Sequence, residues 1–232
     1  MKKKMNFVSV IIIVLFIAII LIGCNGKVEK SEKAERNDDG QYSLGSKVQI
    51  YDSNFKQMDA HFTYFPGKPR NLNFDNAIIL NRPPEDIFFG RINEKGYDTI
   101  GFVRSCIEKS IEWAETAKKN KVDSLVKEIA NDEYDINDRT IISMFNKQSN
   151  SIEQLYLTCS FYIGDIDDNG KKGTFLIMAL YDRNLTPKRY FCYSERDFTL
   201  LKEIFSDSYL AEIDMQEVAW RKSHDEQDAL FE

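Results

Sequence analysis

The sequence predicts an α+β domain in which an antiparallel β-meander is packed against two or more helices. Three observations carry this. Residues 155–163 alternate cleanly, with Leu155, Leu157, Cys159, Phe161 and Ile163 on one side and Tyr156, Thr158, Ser160 and Tyr162 on the other, the period of a half-buried strand. Residues 98–119 instead place Val103, Cys106, Ile107, Ser110, Ile111, Ala114 and Ala117 at helical spacing, with Glu108, Lys109, Glu112, Glu115, Lys118 and Lys119 on the remaining faces. Beyond residue 194, Phe198, Leu201, Ile204 and Phe205 form a second helical stripe behind a candidate N-cap, Ser194, with Asp197 at the acid position of a capping box.

The elements follow in chain order. The folded domain is expected to start near Lys47, with short strands at Val48–Tyr51 and Ala60–Phe65. Pro66, Gly67 and Pro69 enforce a turn, Ala77–Leu80 reads as a buried strand, and Pro83–Pro84 ends it. Residues 66–97 carry little further pattern. The amphipathic helix comes next, stopping at Asn120, and Val122–Ala130 is expected to form a second short helix. The meander then runs through Arg139–Asn146, the turn Lys147–Asn150, the alternating strand, the turn Asp167–Gly170, Thr174–Tyr181, the turn Leu185–Pro187 and Arg189–Tyr193. Thr174–Tyr181 is apolar on both faces, as a central strand should be. The last helix either continues or restarts after Ser206-Asp207-Ser208, and its role is to cover one face of the sheet.

The N-terminus has a different character. Lys2, Lys3 and Lys4 precede an apolar run from Phe7 to Ile22 interrupted only by Ser9, and a charged stretch begins after Cys24. This is the layout of a secretory signal. An uncleaved transmembrane anchor is the alternative, since the run falls just short of the roughly 17 residues that span a bilayer. Leu21-Ile22-Gly23-Cys24 resembles the lipobox of bacterial lipoproteins. The resemblance covers residues 1–24 alone. It implies cleavage between Gly23 and Cys24, a diacylglyceryl group on the Cys24 sulfur, and a chain held by lipid at the cell membrane or outer membrane of a bacterium, outside the cytoplasm. Two acyl chains suffice for a stable tether, at roughly 0.8 kcal/mol per buried methylene. The expected organisation is a signal peptide at 1–23, a lipidated, disordered tether at 24–46 and a single globular domain at 47–232. The tether is polar and nearly free of aromatics, so it buries too little apolar surface to offset its ordering entropy.

Composition narrows the function. The chain carries a formal net charge of −6, and losing the three N-terminal lysines makes the remainder more acidic. An acidic surface excludes nucleic acid as a partner, because phosphate recognition needs a basic one. Cys106, Cys159 and Cys192 follow neither zinc nor Cys-x-x-Cys spacing; one disulfide among them would leave a free thiol, and Cys106 and Cys159 read as small core residues.

Catalytic signatures are missing. There is no Gly-x-Ser-x-Gly elbow, His-Glu-x-x-His or Walker loop. Ser223-His224-Asp225 has the letters of a triad, but adjacent residues cannot adopt that geometry. Asp165, Asp167, Asn169 and Gly170 match the first half of an EF-hand loop, which makes calcium a candidate ligand; position twelve, however, is Leu176 where a bidentate glutamate is needed, and the flanks read as strands. A hairpin turn accounts for the same residues.

The functional reading that follows is an envelope lipoprotein whose domain is a non-catalytic protein-binding, assembly or inhibitor module. Its partners would be the membrane, through the lipid, and a protein of the envelope. Tyr156, Tyr162, Tyr181, Tyr190 and Tyr193 lie on or beside the expected sheet and suit either a half-buried core or a recognition surface. A glycan- or small-ligand-binding lipoprotein is the alternative, and a hydrolase built on two facing carboxylates stands third.

Overall fold

The computed structural model describes residues 34–44, 48–67, 74–92, 97–129, 141–167 and 170–228. The expected signal sequence, with Gly23 and Cys24, lies outside the described residues, as does Asn169.

Twelve strands form one antiparallel sheet among the described residues. They are β1 (Tyr42–Ser43), β2 (Ile50–Tyr51), β3 (Gln57–Met58), β4 (His61–Phe65), β5 (Asn76–Arg82), β6 (Glu85–Ile92), β7 (Tyr97–Asp98), β8 (Leu125–Glu128), β9 (Ile141–Asn146), β10 (Ser151–Asp165), β11 (Lys172–Tyr181) and β12 (Pro187–Ser194). Their spatial order is β1-β4-β5-β6-β9-β10-β11-β12-β2-β3, with β7 added to β6 and β8 to β10. Among the described residues three α-helices, α1 (Thr99–Asn120), α2 (Phe198–Ile204) and α3 (Asp207–Asp228), complete an α+β fold. None of the described helices is long and apolar enough to cross a membrane.

The period-2 pattern sorts each strand into an inner, helix-covered face and an outer one. Leu155, Leu157, Cys159, Phe161 and Ile163 of β10 point inward with Leu176, Met178 and Leu180 of β11 and Phe191 and Tyr193 of β12, all buried in the main core. Phe62 of β4 stacks on Tyr193 of β12 with ring centroids 6.2 Å apart, although five strands separate them in the sheet order. The sheet therefore bends until its inner face closes on itself.

Helix α1 fills that face. Asp98 caps it by accepting from the Gly101 backbone N–H at 2.8 Å, and Lys118 and Lys119 sit favourably at the negative end of its dipole. It ends at Lys121, whose left-handed backbone (φ 55°) directs its N–H to the last carbonyls. Its buried residues, Ile100, Phe102, Val103, Cys106, Ile107, Ser110, Ala114 and Ala117, are largely the predicted stripe. On the outer face, Phe74, Ala77, Ile79 and Phe88 form a small second core over β5 and β6. Gly90 is required there: a Cβ would lie 2.1 Å from the Phe74 ring.

The structure departs from the sequence expectations at four points. Leu125–Glu128, expected in a short helix, is strand β8 paired to β10, because β10 is long enough to hold β9 along its first part and β8 further on. Pro83–Pro84, joined by a cis peptide, ends β5 but also turns the chain directly into β6, which the sequence pattern had not revealed. Ser194 makes no side-chain cap bond; a 3-10 turn, Glu195–Asp197, precedes α2, and the Asp197 carboxylate accepts from Gln49 N at 3.4 Å. The segment Ala34–Leu44, expected within the tether, packs on the domain: Tyr42 and Leu44 are buried and β1 pairs with β4.

Candidate recognition face

Where β10, β11 and β12 lie side by side, the outer face has an unusual composition. β10 presents Tyr156, Thr158, Ser160 and Tyr162; β11 presents Phe175, Ile177, Ala179 and Tyr181; β12 presents Tyr190 and Cys192. Tyr156 stands opposite Tyr181, Thr158 opposite Ala179 and Ala179 opposite Tyr190. The tyrosines, Thr158, Ser160 and Ile177 are half-buried. None of these ten residues is charged, in a chain that is 29% charged overall; charge borders them at Glu128 of β8, opposite Ser160, and at Lys188 of β12. The solvated face of an antiparallel sheet is ordinarily polar, alternating with the apolar buried face.

The phenols are held in place. Burial and a hydrogen bond with the Tyr181 hydroxyl raise the Tyr190 phenol above its ordinary pKa. The Tyr162 hydroxyl donates to the Asp165 carbonyl at 2.7 Å. One end of the face is walled by the β2–β3 turn. There Phe55 adopts a left-handed conformation (φ 56°) that is costly for an aromatic residue. The Asp52 side chain fixes this turn by accepting from Asn54 N and Lys56 N at 2.8 and 3.0 Å. The Phe55 ring thereby packs against Phe175 and Tyr162, centroids 4.7 and 5.3 Å away. At the opposite end, Gln154 and Asp182 border an open groove of about 400 Å³ that also involves Ile152, Glu153, Arg183 and Asn184. Tyr193 does not join the face: it points inward, fully buried, with its hydroxyl lacking a hydrogen-bond partner.

The other side chains with catalytic or metal-binding chemistry are dispersed. His61 is exposed at the start of β4. Ser223, His224 and Asp225 are exposed in sequence along α3, and His224 stacks on Trp220 at 4.1 Å. The buried carboxylates meet cations rather than one another: Glu85 pairs with Arg82 and Arg189, Asp86 with Lys147, and Glu217 with Arg36 and Arg221. No group of three or more His, Cys, Asp or Glu able to hold a metal occurs among the described residues. Asp165 and Asp167 lie at the β10–β11 hairpin, flanked by strands, with the Asp167 carboxylate accepting from Lys171 N at 3.0 Å. Cys106, Cys159 and Cys192 are buried free thiols.

The alternation of β10 made Tyr156 and Tyr162 legible as one face. Tyr181 and Tyr190 could be joined to it only once pairing fixed the register. Phe55 gave no sequence signal, because nothing in its neighbourhood announces a positive φ at an aromatic residue. No family model, curated protein or solved structure matches the chain.

Proposed function

We propose that this chain is a lipid-anchored envelope protein whose domain is a non-catalytic binding module, engaging a protein partner through the outer face of β10–β12. The observation that supports it is the uncharged face itself. Tyrosine offers large, rigid, amphipathic contact area at low entropic cost, and neighbouring serine and threonine hydroxyls supply adaptable hydrogen bonds, the chemistry that dominates antibody paratopes. Depletion of charge at the centre with aromatic enrichment is likewise the signature of protein interfaces. Pairing of the buried acids with arginine and lysine counts against the hydrolase reading, which needs two free carboxylates facing a cleft.

Photo-crosslinking in intact cells tests the partner. A photoreactive phenylalanine in place of Tyr181 should give one discrete protein adduct, and the same residue in place of Lys119 on α1 should not. The adduct should vanish when Tyr156 and Tyr190 are both changed to Ser in a variant that keeps its far-ultraviolet spectrum. Absence of any adduct at Tyr181, with retention of the domain on envelope polysaccharide, would overturn the protein-binding reading in favour of a glycan. The anchor is tested separately: the mature N-terminus should begin at a lipid-modified Cys24, and Cys24→Ala should abolish both modification and processing.

A further inference from the structure

Two turns of the sheet have the same build. Residues 52–56 join β2 to β3, and residues 182–186 join β11 to β12. In each, the first N–H donates to the fifth carbonyl, Asp52 to Lys56 at 2.9 Å and Asp182 to Thr186 at 3.0 Å. In each, the fourth N–H donates back to the first carbonyl, Phe55 to Asp52 and Leu185 to Asp182, both at 3.0 Å. The aspartate carboxylate accepts from the third and fifth N–H groups, at 2.8 and 3.0 Å in the first turn and at 2.9 Å twice in the second. The third residue is asparagine in both. A three-residue hairpin loop of this kind closes on a left-handed residue, a conformation that glycine takes without steric cost. This chain instead places Phe55 (φ 56°) and Leu185 (φ 61°) there.

The two strained positions are compensated differently. The Phe55 ring packs on Phe175 and Tyr162, so the fold gains contact area from it. Leu185 belongs to neither core and is 52% exposed. It combines a left-handed backbone with a large apolar side chain in water, and the folded domain gains nothing in exchange. Strained residues of this kind cluster at ligand-contacting sites. The position of Leu185 fits such a site. Its turn follows Tyr181 directly, and Asp182, Arg183 and Asn184 border the groove at that end of the tyrosine face. Ile152, a second exposed apolar side chain, lines the same groove.

We propose that Leu185 is an anchoring residue of the interface, seated in an apolar pocket of the protein partner, with Ile152 extending the apolar contact into the groove and Glu153 and Arg183 at its polar rim; this rests on the binding reading of the tyrosine face above. Burial in the partner removes the leucine side chain from water, which the domain alone does not do. The doubly bonded turn fixes the Leu185 backbone before contact, so little ordering remains to be done on binding. An apolar centre with a charged rim is the ordinary layout of a protein interface.

The full chain in intact cells, with photoreactive phenylalanine in place of Tyr181, tests this in combination with single substitutions. Leu185→Gly and Leu185→Asn both suit a left-handed backbone. Each should cut the yield of the protein adduct about tenfold, the scale of one anchoring side chain. Asn150→Gly, made at the left-handed residue of the β9–β10 turn (φ 50°), should leave the yield unchanged. The purified full chain carrying Leu185→Gly should melt at or above the wild-type midpoint, because relief of the left-handed strain offsets the freedom that glycine adds to the unfolded chain. Unchanged adduct in both Leu185 variants overturns the proposal. So does an equal loss in Asn150→Gly, which assigns the effect to turn geometry, and so does a lower midpoint for Leu185→Gly, which makes the leucine a residue of the fold. An adduct to phospholipid or to a second copy of this chain likewise overturns it. The parent probe separates the two readings: a protein adduct that survives both Leu185 substitutions defeats the anchor alone, whereas no adduct in the parent defeats the interface and the anchor with it.

Discussion

The guanidinium of Arg36 lies 3.5 Å from the centroid of the Trp220 ring, and the same side chain donates to the Glu217 carboxylate at 2.9 Å. Residues near the start of the described chain are thus fastened to its last helix. His224 stacks on Trp220, and Tyr42 and Arg221 complete the shell around Glu217. A cation over an indole contributes about 0.5–2 kcal/mol, depending on desolvation. A double-mutant cycle of Arg36→Ala and Trp220→Ala, followed by urea unfolding, should give a coupling energy in that range. Strictly additive costs would mean that the stacking contributes nothing.

Glu85 is the most deeply buried charge in the sheet, at 2% exposure, and it has two arginine partners. Arg189 grips it with both Nε and Nη2, the Nε contact being 2.6 Å; Arg82 adds a single bond at 3.2 Å. Removing one partner of a buried ion pair strands the other, at a cost of about 3–5 kcal/mol when burial is complete. Arg189 is half-exposed, so Arg189→Ala should cost less, about 2–3 kcal/mol. Arg82→Ala should cost clearly less again, since Arg189 still neutralises the carboxylate. Equal costs in urea unfolding would contradict this division of labour.

These two ion-pair systems mark where the sequence becomes silent. Arg36 and Glu217 are 181 residues apart, and Arg189 and Glu85 are 104. No local pattern can pair such residues, because pairing depends on how the sheet bends. The strands that alternate, and the α1 stripe, were legible because one face of each is buried continuously and the period shows it. β6 was hidden by its own burial: six successive buried residues from Glu85 leave no alternation to read. β8 misled for the opposite reason. It is mostly exposed, so its residue types follow solubility rather than the strand period. Of the candidate face, the alternating half on β10 was legible and the wall formed by Phe55 was not.

Helix α3 buries only Leu210 and Ile213 among its large apolar side chains, and carboxylates supply much of its remaining attachment. The Asp207 carboxyl is lowered by hydrogen bonds from Arg104 and Arg91, against burial. Burial raises Glu217, but bonds from Arg36, Arg221 and Tyr42 outweigh it and leave that carboxyl lowered as well. Both contribute stability that is complete above the unfolded carboxylate range near pH 4 and is lost as the pH falls through their folded values. Asp214 runs the other way: burial raises it, so its protonated form favours the fold and partly offsets the loss. The net expectation is a weaker attachment of α3 below about pH 4. Asp207 is 60% exposed and solvent-screened, so Glu217 should dominate. The urea midpoint of Glu217→Gln should therefore fall less than that of the wild type between neutral pH and pH 3.5. A parallel fall in both proteins would remove Glu217 from the account.

The Asp165–Gly170 segment offers a contest between a hairpin and a calcium loop. The hairpin closes with Asp165 opposite Lys172 and Ile166 N donating to the Lys171 carbonyl at 2.8 Å. Gly170, at φ 74°, supplies the left-handed position, and the Asp167 carboxylate is turned back onto Lys171 N. Leu176, which holds the place of the bidentate ligand, is fully buried on the inner face and cannot swing to the loop. On this geometry Asp167 and Gly170 serve the turn. Asp167→Ala should cost about 1 kcal/mol through the lost hydrogen bond, and Gly170→Ala a similar amount through its positive φ. Calorimetry with millimolar calcium should show no heat that depends on Asp167. Heat that disappears in Asp167→Ala would show that the loop, despite its strands, recruits the ion.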